Sequence, residues 1–93
     1  MKLFLIGFPK SGTSTIHTAL ERSGLRSAHW RCDQGFVGQI IYENYYAARD
    51  PLHSLTTFDA ITQADVCLPA MGINFWPNLD FNILGAILTA HPI

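Results

Sequence analysis

The residues best suited to chemistry lie in one segment, residues 7–15, which read Gly-Phe-Pro-Lys-Ser-Gly-Thr-Ser-Thr. A short apolar run at residues 3–6 precedes the segment, and a pattern typical of an amphipathic helix follows it. A helix that begins after a glycine-containing loop presents unpaired amides and a partial positive charge at its first turn. Lys10 adds a full positive charge, and the hydroxyl side chains after Gly12 add further donors. The segment therefore predicts a binding site for a phosphate or sulfate group.

This segment differs from the nucleotide P-loop, GxxxxGK[ST], at the lysine. Gly7 and Gly12 keep the glycine spacing, and Ser14 occupies the Ser/Thr position. Thr13 stands where the P-loop has its lysine, and the lysine of this chain lies three positions earlier, at Lys10. A P-loop lysine supports the β- and γ-phosphates beside Mg²⁺. A lysine inside the loop can instead follow one bridging oxygen as its bond breaks, which favours sulfuryl transfer. A small-molecule kinase with a variant loop is the alternative.

Residues 9–14, Pro-Lys-Ser-Gly-Thr-Ser, resemble the PKSGTT loop of the sulfotransferases that use 3′-phosphoadenosine 5′-phosphosulfate (PAPS). The resemblance to bacterial members continues through Phe-Asp-Ala-Ile-Thr at residues 58–62, a Pro/Trp stretch and a helix that ends at His-Pro. It implies that residues 1–93 are the N-terminal portion of a single sulfotransferase-like domain. In the family the next strand binds the 3′-phosphate of the cofactor, and we expect that strand to be absent from this portion.

The family's roles can be carried over to individual residues of this loop. The implied cofactor-binding residues are Lys10, Ser11, Gly12, Thr13, Ser14 and Thr15. The resemblance implies that Lys10 contacts the 5′-phosphate and stabilises the leaving bridging oxygen. The amides of residues 11–14 and the hydroxyls of Thr13 and Ser14 would cradle the phosphosulfate. The implied reaction moves a sulfuryl group from PAPS to a hydroxyl or amine of a small-molecule or glycan acceptor, stabilised mainly by prearranged donors.

The catalytic base is expected just after the second strand, where related sulfotransferases carry a histidine or a carboxylate. His29 and Asp33 occupy this region, and a histidine has the pKa best suited to proton transfer at neutral pH. We therefore predict His29 as the base. The structural alternatives are a His29 that packs beside Trp30 and an Asp33 that caps a helix. His29 and Cys32 fall short of a four-ligand zinc site, so no metal is predicted.

The order of patterns predicts an α/β fold, a P-loop-like parallel sheet flanked by helices. A strand is expected at residues 3–6, a helix from the loop to Gly24, and a second strand within residues 25–30. Apolar residues at helical spacing between 36 and 48 predict a second helix, with Asp33 as its N-cap.

The second half of the chain predicts three further features. A short strand is expected at residues 60–62, an ordered loop at residues 69–77, and a last helix with Asn78 as its N-cap. In an α/β protein a strand should follow this helix, so we expect the sheet to be incomplete. A non-catalytic, anion-binding fragment is therefore a further functional alternative.

Composition limits the remaining possibilities. With 93 residues, 48% hydrophobic and 14% charged, the chain is a folded single domain rather than a disordered one. The apolar excess predicts either self-association through exposed apolar surface or poor solubility when the chain is expressed alone. A net charge of −1 with no basic block argues against nucleic-acid binding. The sequence has neither a membrane-spanning run nor a secretory signal, which predicts a cytoplasmic protein with Cys32 and Cys67 as buried, reduced thiols.

Overall fold

The computed structural model describes residues 3–4 and 13–91. Their elements follow in the order β1 (Leu3–Phe4), α1 (Thr13–Arg22), β2 (Ser27–His29), β3 (Arg31–Cys32), β4 (Gly35–Phe36), α2 (Val37–Tyr46), β5 (Ala60–Gln63), β6 (Val66–Leu68), β7 (Ile73–Phe75) and α3 (Phe81–Ala90). Two 3₁₀ helices, Pro69–Met71 and Pro77–Leu79, flank β7. The predicted α/β class is confirmed.

The larger sheet has the order β1-β5-β2-β3-β4, and its first three strands in this order are parallel. β5 pairs in parallel with β1 on one side and with β2 on the other. The first three residues of β5 are buried, as expected for a strand that has neighbours on both edges and cover on both faces. The strands predicted at residues 25–30 and 60–62 are therefore confirmed.

Asp59 joins the starts of the three parallel strands. Its main-chain oxygen accepts a hydrogen bond from the amide of Leu3 at 3.1 Å, and its amide donates to the carbonyl of Arg26 at 2.7 Å. The Asp59 carboxylate accepts a hydrogen bond from the amide of Arg26 at 2.9 Å. These bonds fix the register in which β1, β5 and β2 lie side by side.

The predicted N-cap of the second helix is wrong. α2 begins at Val37 with Phe36 as its N-cap residue. Asp33 lies instead in the turn between the antiparallel strands β3 and β4, followed by Gly35 at a φ of +119° that favours glycine. The amide of Val37 donates to the carbonyl of Trp30 at 3.0 Å, so the main chain satisfies one of the first amides of α2, which have no partner within the helix.

The predicted start of the last helix is also wrong. Asp80 caps α3, and its Oδ1 accepts hydrogen bonds from the amides of Asn82 at 3.0 Å and Ile83 at 3.3 Å. Asn78 is buried in the preceding 3₁₀ helix, and its Nδ2 donates to Asp65 at 3.4 Å. The loop predicted at residues 69–77 contains β7, which pairs with β6 as a hairpin.

The core lies between the sheet and helices α2 and α3. Its fully buried members include Val37 and Ile41 from α2, Leu52 and Leu55 from the following turns, and Ile61 and Ile83. Both cysteines are free thiols, but Cys67 is exposed and Cys32 is half-buried, so the expected burial of both is wrong. No helix in the described part of the chain is long and apolar enough to cross a membrane.

Candidate functional site

The candidate site lies where β2 ends and α1 begins. Ligands of open α/β sheets bind beyond the carboxyl ends of the strands, because the loops that meet there carry the functional groups. α1 begins at Thr13, in agreement with the helix predicted after residue 12. Lys10, Ser11 and Gly12 lie outside the described residues, so their predicted contacts stay predictions. The site can be built from Ser14 onward.

Two residues that the sequence assigned to different roles are in contact. The hydroxyl oxygen of Ser14, in the first turn of α1, lies 3.2 Å from Nε2 of His29, the last residue of β2. Ser14 was predicted as part of the phosphosulfate cradle and His29 as the base. The fold places them within hydrogen-bonding distance, whereas Thr15 is exposed beside Ser14.

A side chain of the neighbouring strand β5 contacts the other ring nitrogen of His29. Its Nδ1 lies 3.0 Å from the hydroxyl oxygen of Thr62, which is fully buried in β5. The Thr62 hydroxyl also donates to the carbonyl of Ala28 at 3.2 Å. Both ring nitrogens of His29 therefore have a hydroxyl partner. The structure does not support the alternative in which His29 only packs beside Trp30.

A second histidine, to which the sequence assigned no role, belongs to this cluster. The ring of His17 stacks on that of His29 with centroids 5.0 Å apart, and its Nδ1 lies 2.9 Å from the hydroxyl of Ser27. The carboxylate of Glu21 accepts a hydrogen bond from the Ser27 amide at 2.9 Å. Ser14, His17 and Glu21 recur at helical spacing, so one face of α1 carries all three. The helical spacing of these three polar residues is the sequence signal that could have identified His17.

The surroundings favour the neutral form of His29. Burial lowers the pKa of its imidazole, the neighbouring His17 lowers this pKa further, and Asp65 opposes both effects. Asp65 is itself buried, and its burial raises the pKa of the carboxyl group. A neutral imidazole can accept a proton, so His29 has the protonation state that a general base needs near neutral pH.

The lowered pKa of His29 makes folding stability depend on pH. From its ordinary value of 6.5 the pKa falls on folding, so the unfolded chain binds the proton more tightly. We expect this contribution to reduce the free energy of unfolding as pH falls below 6.5 and to level off below the folded-state pKa. Urea titrations between about pH 7.5 and about pH 5 measure it. His29→Gln should remove the contribution and His53→Gln, at an exposed site, should retain it; identical profiles for wild type and His29→Gln would contradict the assignment.

A cleft of about 440 Å³ opens beside the two histidines, between α1, β2 and the turn that follows β3. Arg26, Arg31 and Asp33 also line it. Each arginine lies over an aromatic ring, Arg26 at 5.0 Å from the centroid of Phe58 and Arg31 at 5.7 Å from that of Phe36. These contacts restrain two positive charges at the mouth of the cleft. Asp33, the alternative base, thus borders the same space as His29.

Among residues 3–4 and 13–91, no three His, Cys, Asp or Glu side chains are grouped so that they could hold a metal ion. Comparison of the chain with models of protein families, with curated proteins and with solved structures gives no match. The function is therefore argued from the residues of the site themselves.

Proposed function

We propose that this chain is a sulfotransferase domain that binds PAPS at residues 7–15 and uses His29 as the general base. One observation carries the proposal. The hydroxyl of Ser14 contacts Nε2 of His29 at 3.2 Å, although the sequence assigns the first to the cofactor cradle and the second to proton transfer. A base that accepts the acceptor's proton has to lie beside the group being transferred, and the contact with Ser14 supports this role for His29.

The chemistry of the described residues suits an anionic group at this position. The first turn of α1 has no acidic residue, and its amides carry the partial positive charge of a helix start. Ser14 adds a hydroxyl donor, and Lys10 adds a charge that the resemblance directs at the 5′-phosphate. When bound, PAPS would supply the sulfuryl group. No metal ligand is required, since hydrogen-bond donors and Lys10 would balance its charge.

The chain's own residues would act on the acceptor. The cleft beside His17 and His29 has the volume to admit a small molecule or the end of a glycan. An acceptor hydroxyl or amine that displaces the Ser14 hydroxyl from Nε2 would give its proton to His29 as its oxygen or nitrogen bonds to sulfur. Lys10 would stabilise the bridging oxygen as its bond to sulfur breaks.

Binding of the spent cofactor tests this proposal. We expect adenosine 3′,5′-bisphosphate to bind in the micromolar range by calorimetric titration, and ATP with Mg²⁺ not to bind. Lys10→Ala should weaken binding roughly 10- to 100-fold, because a charge-assisted hydrogen bond contributes about 1.5–3 kcal/mol. Lys2→Ala, which removes a lysine outside the motif, is the matched control and should leave the affinity unchanged.

Other results of the titration would favour one of the two alternative functions that the sequence analysis left open. Binding of ATP that requires Mg²⁺, without binding of the bisphosphate, would favour the variant P-loop kinase. Binding of inorganic sulfate or phosphate alone would favour the non-catalytic anion-binding fragment. Failure of the bisphosphate to bind would overturn the sulfotransferase proposal for this chain.

A further inference from the structure

The hydroxyl of Thr62 connects two strands beneath the histidine pair. Thr62 lies in β5 with 0% of its surface exposed. Its Oγ1 lies 3.2 Å from the carbonyl oxygen of Ala28 and 3.0 Å from Nδ1 of His29, both in the neighbouring strand β2. Pairing of Ala28 with Ile61 fixes the strand that carries this carbonyl. A β-branched side chain has a restricted χ1 angle, so the hydroxyl has little freedom to leave this position.

Because the hydroxyl of Thr62 has a single proton, its hydrogen bonds determine which ring nitrogen of His29 is protonated. A hydroxyl has one proton to donate, and the carbonyl of Ala28 can only accept it. When this proton is donated to the Ala28 carbonyl, the oxygen of Thr62 acts as an acceptor toward His29, and Nδ1 of His29 carries the proton of the imidazole. Nε2 then has the lone pair, and the hydroxyl of Ser14 donates to it. In this arrangement each donor has an acceptor.

The hydrogen bonds that connect Thr62 through Ser27 to His17 place the proton of the second imidazole on Nδ1 as well. The hydroxyl oxygen of Ser27 lies 3.2 Å from that of Thr62 and 2.9 Å from Nδ1 of His17. Since the proton of Thr62 is already donated, Ser27 must donate to Thr62, and its oxygen accepts from Nδ1 of His17. Both imidazoles thus carry the proton on Nδ1. Two chains of hydrogen bonds converge on one buried hydroxyl and end at the carbonyl of Ala28.

We propose that Thr62 is a positioning residue that holds His29 as the Nδ1–H tautomer, which leaves Nε2 as the proton acceptor at the site. The catalytic part of this inference rests on the proposed sulfuryl transfer; the tautomer itself does not. Thr62 contacts His29 and the backbone from below the site, and it acts on the reaction through the imidazole alone.

Two substitutions separate the hydroxyl from the shape of the side chain. Thr62→Val keeps the branched shape and removes the hydroxyl, so Nδ1 of His29 loses its acceptor. Thr62→Ser keeps the hydroxyl and removes a methyl group. We expect long-range ¹⁵N–¹H NMR spectra, recorded at a pH at which His29 is neutral, to show Nδ1–H in the wild type and in Thr62→Ser. Thr62→Val should shift His29 toward the Nε2–H form, the commoner form of a free imidazole.

Kinetics adds a second readout. With PAPS and an acceptor, Thr62→Val should lower kcat about 100-fold, the lower end of what a general base contributes, with KM for PAPS unchanged. Thr62→Ser should restore kcat. A purely structural role would instead lower the amount of folded protein and leave the tautomer of His29 unchanged. The amide spectrum of each variant measures how much of the protein is folded.

The wild-type spectrum alone can overturn the inference, even if Thr62→Val does not fold. Nε2–H on His29 in the wild type contradicts it, and so does an unchanged Nδ1–H in a folded Thr62→Val variant. A chain that shows the Thr62-dependent tautomer but binds no bisphosphate would support positioning by Thr62 and overturn the proposed function.

Discussion

Substitution of His29 by glutamine is expected to lower kcat of sulfuryl transfer by about 100- to 10,000-fold, the range that a general base contributes. Glutamine can still form hydrogen bonds with Ser14 and Thr62, but its amide cannot accept the acceptor's proton at neutral pH. Because the proposal assigns cofactor binding to residues 7–15 and not to His29, the dissociation constant of adenosine 3′,5′-bisphosphate should change less than about threefold. Steady-state kinetics and calorimetry on the same protein measure both quantities.

The control for this substitution is His53→Gln, which makes the same chemical change at an exposed position outside the site. It should leave both kcat and bisphosphate binding unchanged. Should His29→Gln retain the wild-type kcat, His29 is not the base. The same measurement on Asp33→Asn then tests the other residue that the sequence offered.

Substitution of Gly38 by alanine is expected to destabilise the fold by about 3 kcal/mol, a cost typical of overpacking in a filled core. Gly38 is a buried residue of α2, and a Cβ built on it would overlap the carbonyl oxygen of Ala64. It would also lie 3.1 Å from Cβ of Phe75 and 3.5 Å from Cδ of Pro77. These are main-chain or short side-chain atoms, so α2 and the hairpin would have to separate. Urea denaturation measures the loss.

Gly85→Ala is the matched control, because Gly85 is also a helical glycine. It lies on the exposed side of α3, where an added Cβ meets nothing within 4 Å. Here the helix propensity of alanine should stabilise the protein by about 0.5–1 kcal/mol. Equal shifts of the two variants in one direction would contradict the close approach of α2 to the hairpin.

The sequence predicted those parts of the fold that depend on local pattern. The helix after residue 12 and the strand at residues 60–62 follow from the spacing of apolar residues, and both are present. The two N-caps could not be predicted in this way. Asp33 suits a cap and a turn equally well, and the long-range bond from Val37 to Trp30 decides between them. Asn78 and Asp80 are both good cap residues, and burial of Asn78 beside Asp65 leaves Asp80 at the helix start.

The candidate site was predictable to a similar extent. His29 and Ser14 could be named because a motif and the end of a strand identify them. Thr62 could not, since its contact with His29 joins residues 33 positions apart and depends on the register of two parallel strands. His17 gave only the weaker signal of a polar face on α1. Candidate ligand-binding residues can thus be named from motifs, whereas the residues that support them are found only from the pairing of strands.

The strand order has a consequence for how the site is assembled during folding. β5 lies between β1 and β2 in the sheet, yet it is the last of the three along the chain. Until residues 60–63 are inserted, neither earlier strand has its parallel partner, and His29 lacks the hydroxyl of Thr62. Closing so long a loop is entropically slow compared with forming α1. We therefore expect His29 and Thr62 to come together late, in the same cooperative step that completes the sheet.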